Sequence, residues 1–459
     1  MNSCLPEDWI ESTFGGLNQF ASQTVDPSEH SDEEFELYSV PSFPTDNPER
    51  LPGGAIGSTK QSVAPGDVLV CKINPRINRV WQVKPATNLK QIASSEWIGF
   101  RASEMEPRFF LYYFRSPHFR GLIRSDVTGV GGSLTRAQPK NVATFAVPVA
   151  PAKEQSRIAD QLDAMLARVN ACNDRFDGIP AILKRFRQCV LTAATLGELT
   201  KDWRGDPDMR QWLSVTVGQL LNGKPRNGYS PQAVEHETPV RSLTLSATTS
   251  GKFLARHSKF IDEHFSRDSH LWLEPGDILI QRANSLDYVG VSAIFDGPKN
   301  QFIYPDLMMK CRANDRVLTP FLFYVLSAEA TRKYFRDNAT GTAGNMPKIN
   351  QQTVIAVPAQ LPPLDEQIEI VRRVESLFAI ADRLEARCTA ARAQVARLTP
   401  LLLAKAFRGE LVPQDPADEP ASELLARLCQ RRADNSAGSS KRRGAKPGHA
   451  SVARTASSA

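Results

Sequence analysis

The chain repeats itself, and no other feature limits its possible folds as strongly. A displacement of 212 residues carries Thr128-Gly129 onto Thr340-Gly341, Lys153-Glu154-Gln155 onto Asp365-Glu366-Gln367, and Gly197-Glu198-Leu199 onto Gly409-Glu410-Leu411. Val147-Pro148 and Val357-Pro358 lie 210 apart, so a small gap intervenes. Earlier in each half, Pro65-Gly66-Asp67-Val68-Leu69-Val70 answers Pro275-Gly276-Asp277-Ile278-Leu279-Ile280, and Trp9 with Leu17 answers Trp212 with Leu220. Isolated Pro-Gly-Asp turns are common, but matched landmarks in one order are not. Each copy runs from a Trp-led segment, through short apolar runs punctuated by Pro and Gly, into a long helical pattern. The expected class is α/β (α+β), with two globular regions in tandem pseudo-repeat.

The helical patterns are heptads. In the first copy Ile158, Leu162, Met165, Val169, Cys172, Phe176 and Ile179 alternate steps of four and three, and the phase resumes at Leu183, Phe186, Val190 and Ala193. Gly178 and Pro180 predict a break between these stretches. The second copy gives Ile370, Val374, Leu377, Ala381, Leu384, Cys388, Ala391, Val395, Leu398 and Leu402. Pro151, and Pro362 with Pro363, precede the two helices; Asp365 is a candidate N-cap, and Gly197 and Gly409 follow the ends. A lone amphipathic seam would be exposed, so the two helices are expected to pair, antiparallel because a pseudo-two-fold axis relates the copies. The alternative is that each packs only on its own globular region. About 25 residues of helix span about 37 Å, close to one DNA turn of about 34 to 36 Å, so such a strut could act as a ruler.

At 459 residues, two or more domains are expected. No stretch reads as a membrane span, and the first residues show no secretory leader, so a soluble cytoplasmic protein is expected. Seven scattered cysteines without a CxxC pair read as reduced thiols. A formal net charge of +6 permits a polyanionic partner without requiring one.

Catalytic constellations are missing from the pattern. Asn74-Pro75-Arg76 and Ser116-Pro117-His118-Phe119 only partly resemble the Pro-Pro-aromatic element of adenine methyltransferases, and Gly129-Val130-Gly131-Gly132 reads as a loop because Gly341-Thr342-Ala343-Gly344 lacks its spacing. No GxxxxGK[ST] phosphate loop occurs. Asp67 with Lys72, and Asp277 with Arg282, lack the acidic residue a metal nuclease would need. His257, His264 and His270 have no partners at metal-ligand spacing and read as surface residues. No catalytic or metal residue is assigned.

Leu361-Pro362-Pro363-Leu364-Asp365-Glu366-Gln367-Ile368 and Ala404-Lys405-Ala406-Phe407-Arg408-Gly409-Glu410-Leu411-Val412 resemble the opening and close of the second spacer helix in the specificity subunits of type I restriction-modification enzymes. Ile179-Pro180-Ala181-Ile182-Leu183-Lys184-Arg185-Phe186-Arg187-Gln188 is similar to the first spacer of the K-type (IA-like) subfamily. The first helix opens with Val149-Ala150-Pro151-Ala152-Lys153-Glu154-Gln155 where the family more often has a proline pair and a leucine. The resemblance, which runs from Leu5-Pro6 to about Arg427, implies target-recognition domains over 1–150 and 206–361, spacer helix regions over 151–205 and 362–412, and a C-terminal extension over 413–459, a short helix followed by a disordered basic tail. It implies a non-catalytic subunit that reads a bipartite asymmetric site in double-stranded DNA, docks two modification subunits on its spacer helices, and joins restriction subunits. S-adenosylmethionine, ATP and Mg²⁺ would belong to those partners, with no cofactor on this chain.

Base reading draws on Arg, Lys, Asn and Gln. Candidates are Lys72, Asn74, Arg76, Asn78 and Arg79 after a predicted strand, with Arg136 and Lys140 in a later loop; the second copy offers Arg282, Asn284, Asn345 and Lys348. Each taken singly reads more readily as a solvated or phosphate-contacting residue than as a base reader. Two alternatives stand beside this reading: a self-contained methyltransferase with atypical motifs, and a coiled-coil adaptor that reads no DNA.

Overall fold

A computed structural model of the chain describes residues 5–85, 87–125, 127–128, 135–204, 212–341 and 346–431. The chain divides into two compact units, Met1–Asp174 with Arg392–Ala459, and Arg175–Ala391.

In unit 1 the strands are β1 Ile10–Thr13, β2 Thr24–Val25, β3 Glu34–Tyr38, β4 Glu49–Pro52, β5 Lys60–Ser62, β6 Val68–Cys71, β7 Val80–Gln82, β8 Lys90–Ala93, β9 Trp97–Phe100, β10 Val127–Thr128, β11 Arg136–Ala137 and β12 Ala146–Val149. They form a five-stranded sheet β2-β5-β8-β3-β4, a three-stranded sheet β7-β6-β9, and the pairs β1-β12 and β10-β11. Helices α1 Phe14–Leu17, α2 Pro107–Arg115, α3 Pro117–Ser125 and α4 Pro139–Val142 lie among them, and α5 Ala152–Thr195 begins in this unit. Val68-Leu69-Val70-Cys71 is buried throughout, as a continuous apolar run predicts. The core is aromatic: Phe109, Phe110, Tyr113 and Phe114 of α2 pack with Phe14, Phe100 and Phe119, and with Ile158 and Leu162 of α5.

Unit 2 repeats the plan. After α6 Lys201–Arg204 come β13 Leu213–Thr216, β14 Arg226–Asn227, β15 Ala233–Val234, β16 Arg241–Leu243, β17 Ser258–Ile261, β18 Ile278–Gln281, β19 Ser292–Ile294, β20 Phe302–Ile303, β21 Met308–Cys311, α7 Thr319–Ser327, α8 Glu329–Asp337, α9 Gln351–Ile355, β22 Pro358–Leu361 and α10 Leu364–Ala406. The sheets are β14-β21-β18-β19, β15-β17-β16-β20 and β13-β22. One parallel pairing recurs, β3 with β8 and β16 with β20.

Each repeated motif has a structural job. Gly66 and Gly276 take φ values of 87° and 89°, which the turns require. The following aspartates cap those turns, Asp67 accepting from Ala64 N at 2.8 Å and Asp277 from Glu274 N at 2.9 Å. Arg101 and Arg312 then pair with the same carboxylates. Trp9 donates its indole N–H to Glu154 at 3.1 Å and Trp212 does so to Glu366 at 2.9 Å, tying the first strand of each unit to a long helix. The neighbouring glutamines anchor a second helix: Gln155 accepts from Glu106 N, the N-cap of α2, and Gln367 from Leu318 N, the N-cap of α7.

Both long helices contribute to both units, and within each unit they run antiparallel. In unit 1 the start of α5 shares a core with Leu403 and Ala406 at the end of α10. In unit 2 Val190, Leu191 and Ala194 of α5 share a core with Ile370 and Val374 of α10, while Arg187 bridges Asp382 and Glu385 at 2.7 Å.

Three expectations need correction. The helix does not break at Gly178 and Pro180: α5 is continuous over 44 residues with Pro180 inside. Pro180 is exposed, so the carbonyl deprived of a helical donor lies on the solvent side, where a proline is tolerated. Asp365 is not the N-cap; it is the second residue of α10, where its carboxylate accepts from Glu366 N and favours the positive end of the helix dipole. The heptad seam is also not buried along its length. Ile158, Leu162, Val169, Leu183, Val190, Ile370 and Val374 are buried, Met165, Phe176, Leu377, Val395 and Leu402 half-buried, and Phe186, Leu384 and Leu398 exposed. Ile158 and Leu162 share the core of unit 1, and Val190, Ile370 and Val374 that of unit 2, whereas Val169 and Leu183 are buried outside these cores.

In unit 1 the chain returns to its beginning after α10. Phe407, Ala421, Leu424 and Leu428 join the core that holds Trp9, Ala421 N donates to Asp8 O, and Arg157 pairs with Asp418 at 2.7 Å. Helical structure covers 421–431; the basic tail, with Lys441-Arg442-Arg443, lies outside the described residues.

Candidate nucleic-acid interface

In unit 1 the candidates follow β6. The loop from Lys72 to Arg79 makes one turn, with Ile77 N donating to Asn74 O and Asn78 N to Pro75 O. Asn74 and Asn78 sit at φ values of 49° and 53°, in the left-handed region that asparagine tolerates better than most residues. The segment around β11 lies against this loop: Asn74 N donates to Thr135 O, Ala137 N to Lys72 O, and Ile73 bridges Arg136. The two groups of candidates, 72–79 and Arg136, therefore stand together, with Lys140 on α4, one turn further along the chain.

Their roles differ. Arg76, Arg136 and Lys140 are exposed, and Lys72, Asn74, Asn78 and Arg79 half-buried. Arg136 pairs with Glu96 at 3.0 Å. The Asn78 amide donates to Phe114 O at 3.0 Å, fixing the loop to the end of α2, and Arg79 reaches Ile73 O. Asn78 thus anchors the loop by one of its atoms.

Unit 2 builds the same arrangement. Ala283 bridges Lys348, Asn284 N donates to Pro347 O, and Ile349 N donates to Arg282 O. Arg282, Asn284 and Lys348 are thereby gathered at one strand end, as in unit 1. The Asn284 amide donates to Gln281 Oε1 at 2.6 Å and its oxygen accepts from Ser285 N; Lys348 is exposed. Asn345 lies outside the described residues, as do Gly129-Val130-Gly131-Gly132 and residues 342–344.

Residue-type reasoning missed Arg120 and Arg332. Arg120 of α3 donates to the Arg76 carbonyl at 3.0 Å. Arg332 of α8 donates to the Asp287 carbonyl at 3.0 Å and to Val289 O at 2.5 Å. The two arginines are 212 residues apart, the displacement of the other landmarks, and that offset was the available signal. Burial holds the Arg332 guanidinium down to about 10, with Arg336 adding to the effect, so it remains charged at neutral pH. Gly290 lets the loop approach: a Cβ there would come within 2.3 Å of Phe335 and 2.9 Å of the Arg332 guanidinium.

Among the described residues, catalytic chemistry does not gather around these loops. Burial pushes the Cys71 thiol up and the Cys311 thiol up to about 12, so neither offers a thiolate. Asp67 and Asp277 are occupied by arginines. Among the described residues, no group of three or more His, Cys, Asp or Glu is placed to hold a metal ion. The arrangement presents amides and cations on preformed loops, which is chemistry for binding.

Residues 248–390 match a family described as the type I restriction modification DNA specificity domain. Over 315 residues the chain is 34% identical to the EcoKI type I restriction enzyme specificity subunit of Escherichia coli (strain K12), an alignment covering 68% of this chain and 67% of that one. It is 32% identical over 318 residues to the StySPI type I restriction enzyme specificity subunit of Salmonella potsdam, covering 69% and 68%. The fold is similar to that of a chain solved for the complex assembly and conformational transition of the type I R-M system, with a TM-score of 0.70 and 20% identity over 89% of this chain and 99% of that one. It is also similar to the HsdS subunit from Thermoanaerobacter tengcongensis, with a TM-score of 0.56 and 20% identity over 88% and 98%.

Proposed function

The chain belongs to the specificity subunits of type I restriction enzymes, and from that membership we propose that its two globular regions each read one half of a bipartite, asymmetric DNA site. Its function is to supply DNA sequence specificity to the enzyme, and it is not itself the catalyst. The observation that carries the bipartite reading is the duplicated loop. Asn74 and Asn284, with basic neighbours, occupy the same place after β6 and β18, yet the flanking residues differ, Pro75-Arg76-Ile77 against Ser285-Leu286-Asp287. One scaffold bearing two different sets of side chains suits two different half-sites.

The subunit works in an assembly with other subunits and DNA. Two modification subunits are proposed to dock on the long helices, and restriction subunits to join them. Exposed apolar residues support the docking: Ile182 and Phe186 on α5, and Ile380 and Leu384 on α10, all in unit 2. Such side chains on long helices offer apolar area to a partner. S-adenosylmethionine, ATP and Mg²⁺ are proposed to be held by the partners. Among the described residues no helix is long and apolar enough to cross a membrane, and a cytoplasmic location, beside the chromosome, is part of the proposal.

The test uses the purified full chain with duplex DNA and S-adenosylmethionine. Affinity for duplex that falls steeply with salt, without methyl transfer, is expected. Methyl transfer by the chain alone would favour a self-contained methyltransferase, and absence of any salt-dependent duplex affinity would favour an adaptor.

A further inference from the structure

The loop after β6 carries one feature that base-reading amides and phosphate-binding cations do not explain. Ile77, at its tip, is 54% exposed. The corresponding loop of unit 2 presents Leu286 at 52% and Tyr288 at 42%. An apolar side chain lifted into water on a mobile loop would mean little, but these tips are held. In unit 1, Arg120 donates to the carbonyl of Arg76, directly before Ile77, and the Asn78 amide directly after it is bonded to Phe114 O. In unit 2 Arg332 clasps the carbonyls of Asp287 and Val289 on either side of Tyr288, and Gly290 admits the close approach. Both units thus hold an apolar tip on a loop that also carries basic and amide side chains, with an arginine from the equivalent position of α3 and α8 gripping the backbone beneath it.

Resting on the DNA-reading role proposed above, we propose that these tips contact bases: Ile77 in unit 1, and Leu286 with Tyr288 in unit 2, enter a groove and press apolar surface on base edges, with Arg120 and Arg332 as positioning residues. Phosphates offer the apolar side chains of Ile77 and Leu286 no partner, whereas thymine methyl groups and partly unstacked base steps do. Fixing the tip in advance removes the ordering cost on binding. A contact of this kind adds sequence preference at one or two positions of a half-site and little to general affinity for the duplex.

The experiment is selection of the full chain, wild type and variants, on a randomised duplex pool, with affinity for non-selected duplex measured at low salt alongside. Wild type enriches a motif with two base clusters. Ile77→Ala is expected to weaken preference about ten-fold at positions within one cluster only, and Leu286→Ala with Tyr288→Ala to do so in the other; low-salt affinity for non-selected duplex stays unchanged. Arg120→Ala reproduces the Ile77→Ala pattern in milder form and Arg120→Lys partly restores it, since a lysine can still donate to the Arg76 carbonyl. Unaltered motifs in the tip variants would overturn the inference while leaving the DNA-reading role intact. So would equal losses on selected and non-selected duplex. A wild-type chain that enriches no motif would remove the underlying role itself.

Discussion

Trp212 donates its indole N–H to Glu366 across 2.9 Å, closing the first strand of the unit 2 globular region onto the first turn of α10. Glu366 also accepts from Thr200 Oγ at 2.7 Å, and Arg204 lies 3.4 Å from the same oxygen, so one buried carboxylate collects three chain segments. Trp212→Phe keeps most of the ring and removes the donor. The expected cost is about 1 to 3 kcal/mol, because a buried acceptor loses its partner. Urea denaturation of the full chain checks it, and an unchanged transition for unit 2 would contradict the clasp.

The equivalent carboxylate in unit 1 gives a pH dependence. Burial holds Glu154 above its ordinary value of 4.5, although the Trp9 hydrogen bond and the Arg157 charge pull it partly back. The folded state therefore retains this proton to higher pH than the unfolded chain does. The stability from this group is complete below 4.5 and is lost as pH rises through the raised folded value. Wild type is expected to lose stability relative to Glu154→Gln as pH climbs through the weakly acidic range. A difference between the two that stays constant with pH, or moves the other way, would contradict the assignment.

Phe407 lies beyond the end of α10, yet its ring centroid is 5.2 Å from those of Phe109 and Tyr113 in the unit 1 core. Phe407→Ala is expected to destabilise unit 1 by about 3 to 5 kcal/mol. Calorimetry on the full chain should show one transition moving down, and two unmoved transitions would mean that the C-terminal return adds little to that core.

Pro180 interrupts the hydrogen bonding of α5 without ending the helix. Pro180→Ala supplies the missing N–H and is expected to stabilise the chain by up to about 3 kcal/mol. A lower melting temperature in this variant would show that the proline is needed where it stands.

The landmarks legible in the sequence are those whose side chains do the same work twice. Trp9 and Trp212, Glu154 and Glu366, and Asp67 and Asp277 keep their identities because each pair makes the same defined bond in both units. The heptads likewise placed both long helices, and the Pro-Gly-Asp turns placed β6 and β18. The rest depends on contacts distant in sequence. Nothing near Glu34 announces that β3 pairs in parallel with β8, and no local pattern brings residues 421–428 back to Trp9. Seam periodicity reports which residues share a face, not what covers them, so it does not separate buried Ile370 and Val374 from exposed Leu384 and Leu398. At the candidate interface residue type pointed to loops that the structure gathers at one strand end in each unit, while Arg120 and Arg332 escaped notice because they act on backbone carbonyls, which any loop sequence provides.

The central claim is that this subunit, through two unlike readers, decides which DNA is modified. Its most direct test is methylome sequencing of cells with and without the chain. The expected result is one bipartite methyladenine motif, two defined base clusters around an unspecified spacer, present only when the chain is present. In chimaeras in which residues 206–361 come from a relative, one cluster should change and the other remain. Identical methylomes with and without the chain, or a motif confined to a single continuous cluster, would contradict it.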